Sequence, residues 1–127
     1  MPYRGRFAPS PTGALHFGSL VAAVGSWLAA RGRAGSWLVR IEDLDPPREV
    51  PGSAADIIAT LAAFGMQADE PIVYQSTRNA AYQSAFEQLQ AAGHVFPCWC
   101  SRSDLDPAGG VHRGACIAGP DHSRPPA

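Results

Sequence analysis

"RFAPSPTGALHFGSLVAAV", Arg6 to Val24, decides how this chain is read. An apolar element over Tyr3–Ala8 leads into Pro9, Ser10, Pro11 and Thr12, and Gly13, His16 and Gly18 follow. Beyond Ser19 the run Leu20–Val24 reads as the start of a buried helix. The stretch is therefore strand, stiff loop, helix start. Pro9 and Pro11 fix two φ angles before any ligand arrives. Gly18 lets a ligand approach the backbone, Ser19 can cap the helix, and the unpaired N–H groups of a helix start suit an anion. The loop is neither GxxxxGK[ST] nor GxGxxG. Its histidine and hydroxyl suit a phosphate under attack, where placed donors meet growing negative charge. A Pro/Gly-rich turn with a surface histidine fits the same residues.

Working outward, the spacing predicts strands at Tyr3–Ala8, Ser36–Ile41, Ile72–Tyr74 and Val95–Cys98. Helices are expected between them. The first runs over Ser19–Ala30 and ends at Gly32. The second opens at Gly52-Ser53, shows Ala55, Ile58, Leu61 and Ala62 on one face, and stops at Gly65. The third is capped by Ser76 or Thr77, shows Tyr82, Ala85, Phe86 and Leu89 on its apolar face, and ends at Gly93. Strands alternating with helices imply a parallel α/β sheet with crossover connections. Such sheets bind ligands beyond the C-terminal strand ends. The opening loop and "EDLD", Glu42–Asp45, both follow strand ends and so fall on one rim.

Composition bounds the partners. The 127 residues carry 10 basic against 11 acidic side chains, and 46% are hydrophobic. A real core is possible, and no basic stripe marks a nucleic-acid footprint. No apolar run reaches the length of a membrane span, and no charged-then-apolar leader opens the chain, so the expectation is a cytoplasmic protein with no membrane partner.

The second stretch, "VRIEDLDPPREVPG" over Val39–Gly52, brings together Glu42, Asp43 and Asp45 with Arg40 and Arg48. It fits a solvated loop with local ion pairs. Glu42 also follows directly on an apolar strand, where it could face an ammonium, while Arg6 could face a carboxylate. An amino acid carries both groups.

"CWCSRSDLDPAGGVHRGAC" holds Cys98, Cys100, His112 and Cys116. A CxC pair and a third cysteine can close around a tetrahedral metal with one further ligand. His112 is the candidate, with His122 as its alternative; three free thiols are the other reading. From Asp106 onward the chain is rich in proline, glycine and small residues, without helix or strand pattern. It reads as a loop region that stops before a closing element, and truncation is expected.

"RFAPSPTGALHFGSL" together with "RIEDLDPPR" closely resembles the glutamate-specific class I aminoacyl-tRNA synthetases. "HFGS" at His16–Ser19 is similar to the HIGH signature of that class, with Ser19 in the place of its last histidine. "LDPPR" at Leu44–Arg48 and the short span before the cysteines most resemble the branch that glutamylates queuosine in tRNA(Asp). The resemblance runs from Tyr3 to about Cys116.

The resemblance implies a Rossmann-like nucleotide-binding fold, its N-terminal half over residues 1–95, with a zinc-binding segment over 96–127. It implies ATP-dependent activation of L-glutamate to glutamyl-adenylate, then transfer to queuosine in the anticodon of tRNA(Asp). Arg6, Phe7, Ala8, Pro9, Ser10 and Glu42 match the glutamate site. Arg6 would take a carboxylate, and Ser10 and Glu42 the ammonium. Pro9, Thr12, His16, Gly18 and Ser19 match the ATP site, with His16, Gly18 and Ser19 nearest the chemistry. ATP with magnesium is the expected substrate. About one structural zinc is expected on Cys98, Cys100, Cys116 and His112, the last standing where the branch has tyrosine. A monomer is expected. A fragment of an ordinary glutamyl-tRNA synthetase and a non-catalytic glutamate- or nucleotide-binding module are the alternatives. The chain contains no lysine, so the KMSKS-type loop of the class is not within it. These 127 residues alone are expected to form adenylate poorly.

Overall fold

The computed structural model describes residues 2–105, 109–110, 116, 118–120, 123 and 125. The chain divides into two compact units, residues 1–79 and 80–127.

In the first unit, β1 (Arg4–Phe7), β2 (Ser36–Ile41) and β3 (Val73–Tyr74) form a sheet in the order β1-β2-β3. Both pairings are parallel, with Arg4 opposite Ser36, Phe7 opposite Val39, and Ile41 opposite Tyr74. Parallel neighbours need a crossover. Helix α1 (Phe17–Arg31) makes the first and α2 (Ser53–Ala63) the second. The strands alternate as period-two elements should: Gly5 and Phe7 of β1, and Trp37, Val39 and Ile41 of β2, point into the core.

The core centres on Trp37, Ile41 and Ile57, all fully buried. The Trp37 ring lies parallel to that of Phe7, 6.3 Å between centroids, and its indole N–H donates to Ser26 Oγ at 2.9 Å. A buried indole must find such a partner, so the bond fixes α1 in rotation against β2. Small residues set the spacing. A Cβ on Gly5 would stand 3.0 Å from the Ser26 carbonyl oxygen and 3.1 Å from Ala30 Cβ. A Cβ on Gly35 would stand 2.3 Å from the Tyr3 carbonyl oxygen, so only glycine fits where β2 begins. Asp69 ties three elements: it accepts from the Trp37 backbone N–H at 2.6 Å and from both terminal nitrogens of Arg31 at 2.7 and 3.0 Å.

Several expectations are corrected. Helix α1 starts at Phe17, not Ser19, and its cap is His16 rather than Ser19. The imidazole Nδ1 accepts from the Ser19 N–H at 3.2 Å, as a capping oxygen would, and this draws Phe17 and Gly18 into the first turn. The inward face of α2 is Ser53, Ile57 and Leu61 with Ala54 and Ile58 beside it, while Ala55 and Ala62 are exposed. The two large aliphatic chains at i and i+4 decide the rotation, because alanines lose little by facing water. After β3 a short 3-10 turn, Gln75–Arg78, precedes helix α3 (Asn79–Ala91). Ser76 gives both its N–H and hydroxyl to Asp43 instead of capping a helix, and Thr77 Oγ1 donates to the Tyr74 carbonyl.

In the second unit α3 ends as expected at Gly93, whose φ of +71° lets the His94 N–H reach back to the Leu89 carbonyl. A single turn, α4 (Arg102–Leu105), follows later. The expected strand at Val95–Cys98 is not formed. Pro97 removes a donor from the middle of so short a segment, and a strand exists only where its backbone can pair.

Candidate active site and cysteine cluster

The loop between β1 and α1 is stitched to the segment after β2. The Glu42 N–H donates to the Pro9 carbonyl and the Val50 N–H to the Pro11 carbonyl, each at 2.9 Å. Pro9 and Pro11 are buried, and Ser10 and Thr12 between them are exposed. Thus the prolines anchor the loop while its hydroxyls face outward. The loop and the first turns of α1 enclose a cleft of about 390 Å³. Phe7, Ala8, Pro9, Ser10, Thr12, His16, Gly18 and Ser19 line it. Arg6 and Glu42 stand outside that lining. Arg6 is exposed on β1. Glu42 accepts from Arg40 at 2.5 Å, a pair that two residues on one face of an extended segment form readily.

His16 and Ser19 form a closed local unit. Because Nδ1 accepts from the Ser19 N–H, the neutral ring carries its proton on Nε2, 3.0 Å from Ser19 Oγ. The imidazole then donates to the hydroxyl, whose own hydrogen is left to point elsewhere. Gly18 leaves room for this ring: a Cβ there would stand 3.1 Å from His16 Cε1 and 3.2 Å from Nδ1, so the imidazole would have to shift. Helix-start N–H groups, an imidazole and a serine hydroxyl thus face one cleft. The Ser19 hydroxyl hydrogen can donate to an oxyanion as it stands, whereas His16 would first have to turn its Nε2–H from Ser19 Oγ to the anion.

The carboxylates after β2 have separate partners. Asp43 is held by Ser76: burial pushes its carboxyl upward, but hydrogen bonds from the Ser76 hydroxyl and N–H, together with the backbone N–H groups of Asp43 and Gln75, outweigh this and lower its pKa. Asp45 pairs with Arg48. Asp43 lines a second cleft of about 370 Å³ with Pro11, Glu49 and Tyr74.

In the second unit the sulfurs of Cys98, Cys100 and Cys116 all lie within 4.8 Å of one another, and Cys100 Sγ is 3.6 Å from Cys116 Sγ. Thiolates at ~2.3 Å from a tetrahedral zinc stand about 3.8 Å apart, so the donor set fits that ion. The backbone favours it as well. The Trp99 N–H points at Cys116 Sγ (3.1 Å) and the Cys100 N–H at Cys98 Sγ (3.4 Å), bonds that orient metal-bound thiolates. The Trp99 N–H leads the influences that lower the Cys116 pKa. At Cys98 the Cys100 N–H acts in the same sense but is outweighed by burial and the neighbouring thiols, and the net shift is upward. His112 and His122 lie outside the described residues.

Sequence reading treats Ser53 only as a helix opening, yet its hydroxyl reaches Gly13, 40 residues away. No local pattern carries that signal, because the partner is a backbone group made reachable by folding.

No helix among the described residues is long and apolar enough to cross a membrane. The family model described as "tRNA synthetases class I (E and Q), catalytic domain" matches residues 3–116. A Burkholderia cenocepacia protein named Glutamyl-Q tRNA(Asp) synthetase is 68% identical over 103 residues, which are 81% of this chain and 35% of that protein. A Xanthomonas campestris pv. campestris protein of the same name is 57% identical over 118 residues, 93% of this chain and 39% of that one. The crystal structure of a glutamate tRNA ligase from Elizabethkingia meningosepticum in complex with its amino acid superposes with a TM-score of 0.70 at 34% identity, over 85% of this chain and 23% of that one. The chain thus spans 35% and 39% of the lengths of these two curated relatives.

Proposed function

This chain belongs to the class I (E and Q) tRNA synthetase catalytic-domain family, and from that membership we propose that it supplies a glutamate- and ATP-binding half-site. The parallel sheet with its crossover helices is the Rossmann-like core of that family. In the proposed reaction an α-carboxylate oxygen of L-glutamate attacks the α-phosphorus of ATP. The bond from that phosphorus to the bridging oxygen breaks, and pyrophosphate leaves with its electrons. Glutamyl-adenylate results, and the glutamyl group then passes to queuosine in the anticodon of tRNA(Asp), with AMP as the leaving group.

The observation that carries this reading is the His16–Ser19 unit at the head of α1, facing the cleft. His16, Gly18 and Ser19 would take the ATP phosphates, with Pro9 and Thr12 beside them. Phe7, Ala8, Pro9 and Ser10 would border the amino acid. Arg6 would hold a carboxylate, and Glu42 would exchange its Arg40 partner for the substrate ammonium. The acceptor is proposed from the relatives at 57–69% identity that carry the Glutamyl-Q tRNA(Asp) name. That similarity favours this acceptor over the terminal adenosine of an ordinary glutamate ligase. In the second unit, Cys98, Cys100 and Cys116 would hold one zinc with His112 as fourth ligand. A monomer working in the cytoplasm completes the proposal.

The test is glutamate-dependent pyrophosphate exchange into ATP, measured on this chain fused to the remaining C-terminal part of the Burkholderia relative. Exchange is expected with L-glutamate, followed by transfer to queuosine-containing tRNA(Asp) in preference to the same tRNA lacking queuosine. In that fusion Glu42→Gln should weaken glutamate binding by about 1.5–3 kcal/mol, the scale of a lost charge-assisted hydrogen bond, with little change for ATP. Equal glutamate affinity in variant and parent would remove Glu42 from the site. Equal transfer to both tRNA forms would remove queuosine.

A further inference from the structure

We propose that Ser53 is a positioning residue for the loop that carries His16, acting through the backbone of Gly13. The inference rests on the nucleotide-binding reading of that loop and adds to it a residue that no signature marks. Ser53 is the buried polar side chain of the described core, 5% exposed. Its Oγ accepts from the Gly13 N–H at 3.0 Å and donates to the Gly13 carbonyl at 2.7 Å. One atom that both donates and accepts is a property of a hydroxyl, and alanine offers neither function.

Gly13 needs this partner more than the other loop residues do. Its φ is +134°, and a Cβ built there would meet nothing within 4 Å, so packing does not hold it. The earlier part of the loop is held by backbone bonds at Pro9 and Pro11, which no side-chain substitution removes directly. Only Ala14 and Leu15 separate Gly13 from His16, and Gly13, His16 and Ser19 line the same cleft. Ser53 opens α2, whose next turns are anchored in the core by Ile57 and Leu61. The hydroxyl therefore transmits the rigidity of α2 to the last fixed point before the catalytic histidine. Without it Gly13 regains its wide backbone freedom, and the population with His16 and Ser19 in register falls.

The experiment places Ser53→Ala, Ser53→Thr and the core control Ile57→Val in this chain fused to the remaining C-terminal part of the Burkholderia relative. Amide exchange at Gly13 is read by NMR, ATP affinity by calorimetry, and thermal stability alongside. Ser53→Ala is expected to speed Gly13 exchange and raise the ATP Kd by about tenfold each, the scale of one lost hydrogen bond. Ser53→Thr, which keeps the hydroxyl, should restore both. Ile57→Val should lower stability while leaving Gly13 exchange and ATP affinity in line with its small global effect. Gly13 exchange in Ser53→Ala that merely tracks the loss of stability, as in the control, would overturn the proposal. So would an unchanged ATP Kd beside faster Gly13 exchange. If the parent fusion takes up no ATP, the nucleotide reading of the loop fails instead, and Gly13 exchange still decides whether Ser53 holds the loop.

Discussion

The loop after β1 and the cysteine segment are ordered by different means. The loop, 9–16, is braced from two sides. Its prolines are buried, and its carbonyls at Pro9, Pro11 and Gly13 each accept a hydrogen bond from the segment spanning Glu42 to Ser53. That segment is rooted in β2 and α2, whose Ile41, Ile57 and Leu61 are core. The cleft is therefore a by-product of a sheet that would fold without any ligand. Around Cys98, Cys100 and Cys116 there is no strand among the described residues, and each cysteine is only partly covered. The sulfurs converge all the same, held by the N–H···S bonds from Trp99 to Cys116, 17 residues on, and from Cys100 to Cys98, two residues back, and by the 3.6 Å approach of Cys100 to Cys116. A site with so little apolar support would draw its order from the zinc proposed for it. The lesson is that preorganisation is free for the cleft and conditional for the cysteines.

The sharpest way to break this contrast is to remove the ligands of the proposed zinc. Protein purified without chelator should contain about one zinc per chain. The double substitution Cys98→Ser with Cys100→Ser should leave none by elemental analysis. Exchange protection at Gly13 and Trp37 in the first unit should be unaffected. Zinc that survives the double substitution would rule out this ligand set, and loss of protection at Trp37 would end the claim that the first unit is independently ordered.

The reverse experiment removes the core and asks whether the cleft collapses. Trp37→Ala deletes a fully buried ring, its contact with Phe7 and its bond to Ser26, and should cost about 3–5 kcal/mol. That approaches the whole stability of a small domain, so denaturant titration should show the first unit largely unfolded while zinc content stays near that of the parent. A shift well under the expected cost would mean that α1 is not held chiefly through Trp37.

The smallest effect is electrostatic. The pKa of Asp69 is lowered first by the hydrogen bond from Arg31 and then by the Trp37 N–H. A carboxylate with a depressed folded pKa contributes fully above its unfolded value, near ~3.9, and loses that contribution as pH falls through the lower folded value. Thermal unfolding followed from pH 7 downward should therefore show the parent losing stability in that acid window relative to Asp69→Asn, with the gap narrowing as pH falls. A gap that stays constant with pH would mean that Asp69 acts by shape alone.

Much of this was legible from residue types. Proline at alternate positions, glycine before serine and an apolar run announced a strand, a stiff loop and a helix, and these elements lie where expected within a few residues. The start of α1 differs from the sequence expectation because serine is the commoner cap, and only the folded turn shows the imidazole of His16 in that place. The face of α2 differs from expectation because hydrophobic spacing counts alanine with isoleucine, whereas the core selects the larger chains. The strand expected at Val95–Cys98 rested on local composition, and composition cannot supply a pairing partner.

By itself, then, the sequence determined the alternation of strand and helix, the stiffness of the loop, and the identity of the groups proposed to meet a phosphate or a metal. These are properties of single residues and their near neighbours, governed by φ preference, side-chain chemistry and period. Only the tertiary structure decided that Ser53 latches Gly13, that Asp43 is committed to Ser76, and that Glu42 is paired with Arg40 outside the cleft lining. Apart from the short Arg40–Glu42 contact, these join groups distant along the chain, and their formation depends on burial and on the register of parallel strands. Neither is encoded in any one stretch, because both arise from the packing of several stretches against a common core.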